Sequence, residues 1–240
     1  MSTQVHPLVS MIVLNYNGKQ MLERCLSSII NQTFSDFEII FVDNASTDGS
    51  VAFVKQKYPN DSRIRTIVND RNYGPVRGLN IGASLSKGEY VAFLNNDIEL
   101  DSNWLATLVS VLESDTSIGA ASSKQLLMQD ARRLQGIGSF IDPYGFNFQE
   151  GEGEIDVGQY GRMREIFHGG TTALIVRRQT LERVGLLDCT FEYGLDDGTF
   201  WANLRAQTGK RPTTFPQLAH AAVSLANQLQ GPNLSGVCAA

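Results

Sequence analysis

Short apolar runs alternate with helical stripes over the first half of the chain, and three of the runs end in Asn or Asp. Leu8 to Leu14 is mostly apolar and partly β-branched, the pattern of a strand buried on both faces, and it stops at the turn cluster Asn15-Tyr16-Asn17-Gly18. Met21, Leu22, Cys25, Leu26, Ile29 and Ile30 then recur at helical spacing. Phe37 to Val42 predicts a second strand, closed by Asp43. After the polar loop Asn44 to Gly49 the pattern predicts a helix to about Lys57, with Thr47 or Asp48 as its N-cap. Arg63 to Val68 and Pro75 to Leu85 read as the next strand and helix. Tyr90 to Leu94 reads as a fourth strand running into Asn95-Asn96-Asp97, and a helix from about Ser102 to Glu113 follows. This alternation predicts an α/β fold: a mainly parallel central sheet with helices on both faces.

The second half is less regular. Gln135 to Gly161, rich in Gly, acidic and aromatic residues, reads as a long loop or an irregular hairpin region. Gly169-Gly170 precede a strand-like Thr171 to Val176, and Val176, Leu181, Val184 and Leu187 mark another packed segment. Arg211 is the last charged side chain. The stretch 212–240 is weighted to Ala, Gln, Pro and Ser, with a short helix expected around Ala219 to Leu229.

Composition narrows the classes of function. The chain has 240 residues, 42% of them hydrophobic and 19% charged, so it can bury a sizeable core and is not intrinsically disordered. A formal net charge of -5 argues against non-specific grip on nucleic acid. No apolar run approaches the ~20 residues of a membrane helix, and Met1 to Pro7 lacks the basic start of a secretory signal. Cys25, Cys189 and Cys238 are scattered, without metal spacing or a disulfide framework, so a reducing, cytoplasmic setting is expected.

In such sheets ligands bind at the carboxyl ends of the strands, where this chain places Asn15, Asp43 and Asn95-Asn96-Asp97. Asn and Asp also simply terminate strands, but three strands delivering polar groups to one edge points to a nucleotide crevice. The chain has no G-x-G-x-x-G, no phosphate-binding G-x-x-x-x-G-K-[ST] and no G-x-S-x-G elbow. His6, His168 and His220 lie too far apart in sequence to suggest zinc. A carboxylate site remains. Asp97 beside two amides suits a hard divalent cation, Mg²⁺ or Mn²⁺, that takes its other ligands from water and phosphates. Its bland alternative is a helix cap, a role for which Asp101 and Ser102 sit better. Asp43 with Asn44 suits a base or ribose. Asp196-Asp197, in a Gly-aromatic loop, suits either a general base or a solvated acidic loop.

Ser10 to Asn17 (SMIVLNYN), Val42 to Ser50 (VDNASTDGS), Asn72 to Gly82 (NYGPVRGLNIG) and Leu94 to Asp97 (LNND) together resemble a family 2 glycosyltransferase of the GT-A fold. Gly169 to Asp188 resembles that family's acceptor-side segment. The branch most similar includes rhamnosyl- and galactofuranosyl-transferases. The resemblance implies one domain over 1–210, with a donor-binding half at about 8–120 and an acceptor-side half at about 121–210, and an atypical tail over 211–240. It assigns Leu14, Asn15, Tyr16, Asp43 and Asn44 to the nucleoside, and Asn80 to the border of the diphosphate. Asn95-Asn96-Asp97 stands where the family has D-x-D, with Asn95 in place of the first Asp, which assigns Asn95 and Asn96 to donor binding and leaves Asp97 to the metal. Asp196 and Asp197 match the start of the E-D-x-D motif, Asp197 being the base, while Thr199 replaces its last Asp. The resemblance implies a metal-dependent, inverting transfer of a sugar from a uridine or deoxythymidine diphosphate sugar to a hydroxyl of a glycan or lipid-linked acceptor. Peripheral contact with the inner face of the cell membrane is implied too, with Arg132-Arg133, Arg162, Arg164 and Arg177-Arg178 as candidates. Two other readings are a degenerate nucleotide-sugar-binding protein without turnover and a nucleotidyltransferase. For the latter, Asn15 to Lys19 is a poor substitute for the Gly-rich basic loop expected after the first strand.

Overall fold

The computed structural model describes residues 6–141, 147–167, 169–170, 172–190, 211–215 and 221–223. The first half follows the expected alternation: β1 (Val9–Asn15), α1 (Lys19–Ile30), β2 (Phe37–Asp43), α2 (Ser50–Lys57), β3 (Ile64–Val68), α3 (Gly74–Leu85) and β4 (Tyr90–Asn95). A two-residue strand β5 (Ile98–Glu99) and helix α4 (Trp104–Ser114) come next. Then follow β6 (Ile118–Ser123), β7 (Gln125–Leu127), β8 (Asp130–Gly136), β9 (Ser139–Ile141), β10 (Asn147–Gln149) and β11 (Arg164–Glu165). The last described elements are β12 (Ala173–Arg177), α5 (Arg178–Val184), β13 (Arg211–Phe215) and β14 (Ala221–Val223).

The central sheet has the order β11-β13-β6-β12-β4-β1-β2-β3. β3, β2, β1 and β4 run parallel, while β12 runs antiparallel between β4 and β6, which makes β6 parallel to β4. Alternation along β1 explains why its sequence is apolar throughout. Val9, Met11 and Val13 join one core with Leu22, Leu26 and Ile29 of α1 and Trp104 of α4, whereas Ile12 joins the opposite core with Val76 and Leu79 of α3. The one polar residue inside the run is fully satisfied: buried Ser10 donates to Glu38 Oε1 (2.6 Å) and accepts from the Gly88 N–H (2.8 Å).

Helix α3 lies unusually close to the sheet because two glycines face it. A Cβ on Gly78 would stand 2.4 Å from Leu14 Cδ1 and 2.9 Å from Asn44 Nδ2, and one on Gly82 2.4 Å from Ile12 Cγ2. Gly82→Ala is therefore expected to destabilise the fold by about 1–3 kcal/mol through overpacking, measured as a lower denaturation midpoint at unchanged slope.

Two expectations need correction. The boundary expected at 210 does not separate the tail from the sheet: β13 pairs with β6 and β11 inside it, since backbone pairing needs no charged side chains. Ala221–Val223, expected in a helix, forms a strand that pairs with β5 and β7. The hairpin reading of the middle region holds, with β9 and β10 antiparallel and Phe140 stacked on Phe148.

Candidate active site

The in-register pairing Asn15↔Asp43 and Leu14↔Asn95 places the ends of β2, β1 and β4 side by side on one sheet edge. Asp43 is completely buried and Asn15 is 1% exposed. Asn15 Nδ2 donates to Asp43 Oδ2 (2.8 Å) and Ser46 Oγ (3.1 Å), and the other Asp43 oxygen accepts the Ser46 N–H (2.8 Å). Asn15 Oδ1 in turn accepts Asn96 Nδ2 (2.6 Å), so one amide joins the ends of three strands. Gly18 makes room for this bond, because a Cβ there would lie 2.0 Å from Asn96 Nδ2.

The loops after β1 and β2 are interlocked. Ser46 Oγ accepts the Asn17 N–H (2.9 Å), and Asn17 Oδ1 accepts the Thr47 N–H (2.8 Å). Asn17 and Ala45 both take positive φ (49° and 61°), a conformation that costs a non-glycine residue free energy and clusters at functional sites. Asp48 does not form the expected N-cap, since Gly49 occupies that position with φ 83°, but its carboxylate still serves both helices. It accepts the Lys19 N–H (2.8 Å) at the start of α1 and the Ser50 N–H (3.0 Å) at the start of α2. Burial pushes the Asp48 carboxyl up, yet hydrogen bonds from Ser50 and Lys19 outweigh it and hold it below the usual range. A depressed folded-state pKa contributes stability that is present above the unfolded pKa of about 3.9 and is lost as pH falls through the folded value. Asp48→Asn is accordingly expected to flatten the loss of stability below about pH 4, read from melting temperatures across an acid series.

Asn44 braces the neighbouring strand and helix: its amide donates to the Gly74 carbonyl (2.9 Å) and accepts from Asn69 (2.7 Å). Tyr16 is half-exposed at the mouth of the edge, and Leu14 is half-buried against α3. Asn80 stands apart from this group. Its amide donates to the Leu187 carbonyl (2.8 Å) and accepts the Leu187 N–H (3.1 Å), which clamps α3 to the segment after α5. Asn95 receives β12 through its N–H to the Thr172 carbonyl (3.2 Å).

Asp97 caps no helix; Asp101 instead accepts the Asn103 N–H (2.9 Å) ahead of α4. Asp97 Oδ1 is buried and has no hydrogen-bond partner among the described residues, and burial pushes its carboxyl above the usual range. Beneath it, burial and then the Asp97 charge push the Cys25 thiol up to about 12, so Cys25 stays a neutral, unreactive thiol. No three His, Cys, Asp or Glu side chains gather as a metal site among the described residues. A lone buried carboxylate oxygen among amides fits a hard cation such as Mg²⁺ or Mn²⁺ that draws its other ligands from water and phosphate, rather than a closed cage of His and Cys ligands.

Asp196 and Asp197 lie outside the described residues. Of the arginines expected at a membrane, Arg177 and Arg178 turn inward instead, donating to the carbonyls of Ile118 (2.8 Å) and Gly88 (2.6 Å). Arg132 and Arg164 pair with Asp130 and Glu150. Sequence reasoning missed Ser46, Asn17 and Gly18, whose roles exist only because two loops meet. It also missed the buried pair Lys124–Asp156 just past the end of β6. A lysine directly after a run of small residues was the available signal there.

A central sheet of this order, flanked by helices and with polar groups at the carboxyl ends of its parallel strands, has the GT-A type of fold. The structure of GalNAc-T7 with UDP, GalNAc and Mn²⁺ superposes with a TM-score of 0.75 at 16% identity, covering 92% of this chain and 44% of that one. In sequence, residues 10–169 match the model of glycosyl transferase family 2, and the chain belongs to that family. An uncharacterized glycosyltransferase of Haemophilus influenzae is 38% identical over 117 residues, 49% of this chain and 36% of that protein. The GalNAc(5)-diNAcBac-PP-undecaprenol beta-1,3-glucosyltransferase of Campylobacter jejuni is 40% identical over 105 residues, 43% of this chain and 34% of that protein. The matched stretch thus spans about a third of these relatives. No helix among the described residues is long and apolar enough to cross a membrane.

Proposed function

We propose that this protein transfers a sugar from a nucleotide diphosphate sugar to a hydroxyl of a glycan or lipid-linked acceptor in cell-surface polysaccharide assembly. The observation that carries this reading is the unpartnered, buried Asp97 oxygen on the same sheet edge as the fully buried Asp43. Adjacent strands stand about 4.8 Å apart, so the ends of β2 and β4, flanking β1, are separated by about 10 Å. A nucleoside diphosphate can bridge that span. Asp43, oriented by Asn15 and Ser46, addresses the base or ribose, with Tyr16 at the mouth of the crevice, while Asn44 holds the adjoining loop. Asp97 would hold a divalent cation, Mn²⁺ or Mg²⁺, which would supply Lewis-acid neutralisation of diphosphate charge. Asp197, with Asp196 beside it, takes the proton of the acceptor hydroxyl, which attacks the anomeric carbon from the face opposite the diphosphate and inverts it. Asn80 contributes by fixing the acceptor-side segment to α3, at the border of the diphosphate.

Similarity to a relative named for an undecaprenol-linked substrate supports a lipid-linked acceptor and peripheral placement at the inner membrane face. The GalNAc-T7 complex with UDP and Mn²⁺ supports a nucleotide-sugar donor and a divalent cation. The test is a melting-temperature screen of UDP-, dTDP- and GDP-sugars with Mn²⁺, with Mg²⁺ and with chelator. Stabilisation by one donor class that vanishes in chelator is expected; no stabilisation by any of them would overturn the reading.

A further inference from the structure

We propose that Asn96 is a positioning residue that sets the Asn95–Asp97 turn, and with it the carboxylate of Asp97, for cation binding. The inference rests on the reading of Asp97 as the cation ligand. Asn96 Nδ2 donates to Asn15 Oδ1 at 2.6 Å. That oxygen cannot turn away. Asn15 spends its Nδ2 on Asp43 Oδ2 and Ser46 Oγ, and a flipped amide would set its oxygen against the Asp43 carboxylate. The acceptor is therefore fixed in a site from which water is nearly absent, Asn15 being 1% exposed. Gly18 leaves this bond the only space it has, as any side chain there would collide with Asn96 Nδ2. The turn is pinned on its other side by the strand pairing of Asn95 with Leu14 and by its N–H to the Thr172 carbonyl. Asp97, whose own Oδ1 has no partner among the described residues, sits between these anchors and Ile98, which begins β5 and pairs with Val223.

A chemical requirement follows for position 96: it needs a hydrogen-bond donor. A carboxylate would face the fixed Asn15 oxygen with a second acceptor, so the residue beside the cation ligand has to be a donor here although an acid would add favourable charge. The same bond links the nucleoside-side carboxylate, Asp43, to the cation-side turn through one side chain.

The test is direct Mn²⁺ binding to the full chain, with MnCl₂ alone as probe, followed by calorimetry or by the electron paramagnetic resonance of free Mn²⁺. Asn96→Ala is expected to weaken Mn²⁺ binding about tenfold, the effect of losing one buried hydrogen bond and stranding its acceptor. Asn96→Asp is expected to weaken it as well, although added negative charge by itself would strengthen it. Adding Asn96→Ala to Asn15→Ala should cost little further Mn²⁺ affinity, because the bond between the two is already gone, whereas Asn15→Ala alone also releases Asp43 and Ser46. Melting in chelator confirms that each variant folds, and the near-isosteric Asn96→Asp carries the test if Asn96→Ala does not. Unchanged binding by Asn96→Ala, or tighter binding by Asn96→Asp, overturns the positioning role while leaving Asp97 as the ligand. Absence of Mn²⁺ binding by the unaltered chain, with MnCl₂ alone and again with UDP added to supply the phosphate ligands, overturns the cation reading and this inference together.

Discussion

Asp97→Asn is expected to abolish Mn²⁺-dependent donor binding and to lower sugar transfer by about 10³-fold or more, since the charge stabilisation lost amounts to several kcal/mol. The same substitution should raise the melting temperature in chelator. The sign comes from burial. The carboxyl's pKa is raised in the folded state, so at neutral pH the ionised form is penalised by folding, and that penalty disappears only as pH falls through the raised value. A neutral amide removes it at every pH. The rise is read directly as a melting temperature, each kcal/mol being worth roughly 2–4 °C in a chain of this size. Loss of function together with a gain in stability is the signature of a carboxylate held for a ligand. A melting temperature that falls in chelator would instead make Asp97 a structural residue, and differential scanning fluorimetry with donor, Mn²⁺ and chelator separates the two outcomes.

Asp197→Asn is expected to leave donor affinity within about twofold and to lower turnover by 10²- to 10⁴-fold, the usual contribution of a positioned general base. The loss should appear in kcat with KM for the donor nearly unchanged, because the base acts on the acceptor hydroxyl in the transition state. Asp196→Asn, one residue earlier in the motif, serves as the comparison and is expected to cost less. Near-normal turnover by Asp197→Asn would remove the base from that position. The two substitutions also differ in their readouts: Asp97→Asn changes binding and transfer together, and Asp197→Asn changes transfer alone.

The two arginine pairs illustrate how far sequence reaches. Arg132-Arg133 and Arg177-Arg178 are equivalent along the chain, and both read as surface charge. The first pair does meet solvent beside Asp130, whereas the second follows a strand that runs antiparallel to β4, which delivers it to the far edge of the sheet and onto the carbonyls of Ile118 and Gly88. Strand direction decided the difference, and no local pattern encodes it. Likewise, the family resemblance puts Asn80 at the border of the diphosphate, whereas in the fold its amide bonds the backbone of Leu187, 107 positions on.

The sequence alone determined the alternation of buried strands and helices, because continuous apolar runs and helical stripes are local properties that burial on both faces demands. It also determined that Asn15, Asp43 and Asn95 to Asp97 stand at one edge, since parallel strands must all end on the same side. Tertiary structure decided what those groups do to one another. Only the in-register meeting of three strand ends made Asn15 a bridge between Asp43 and Asn96, turned Gly18 into the space for that bond, and left the Asp97 oxygen buried without a partner. Hydrogen bonds between residues 28 and 81 positions apart depend on packing distance and direction, and those are fixed when the sheet forms.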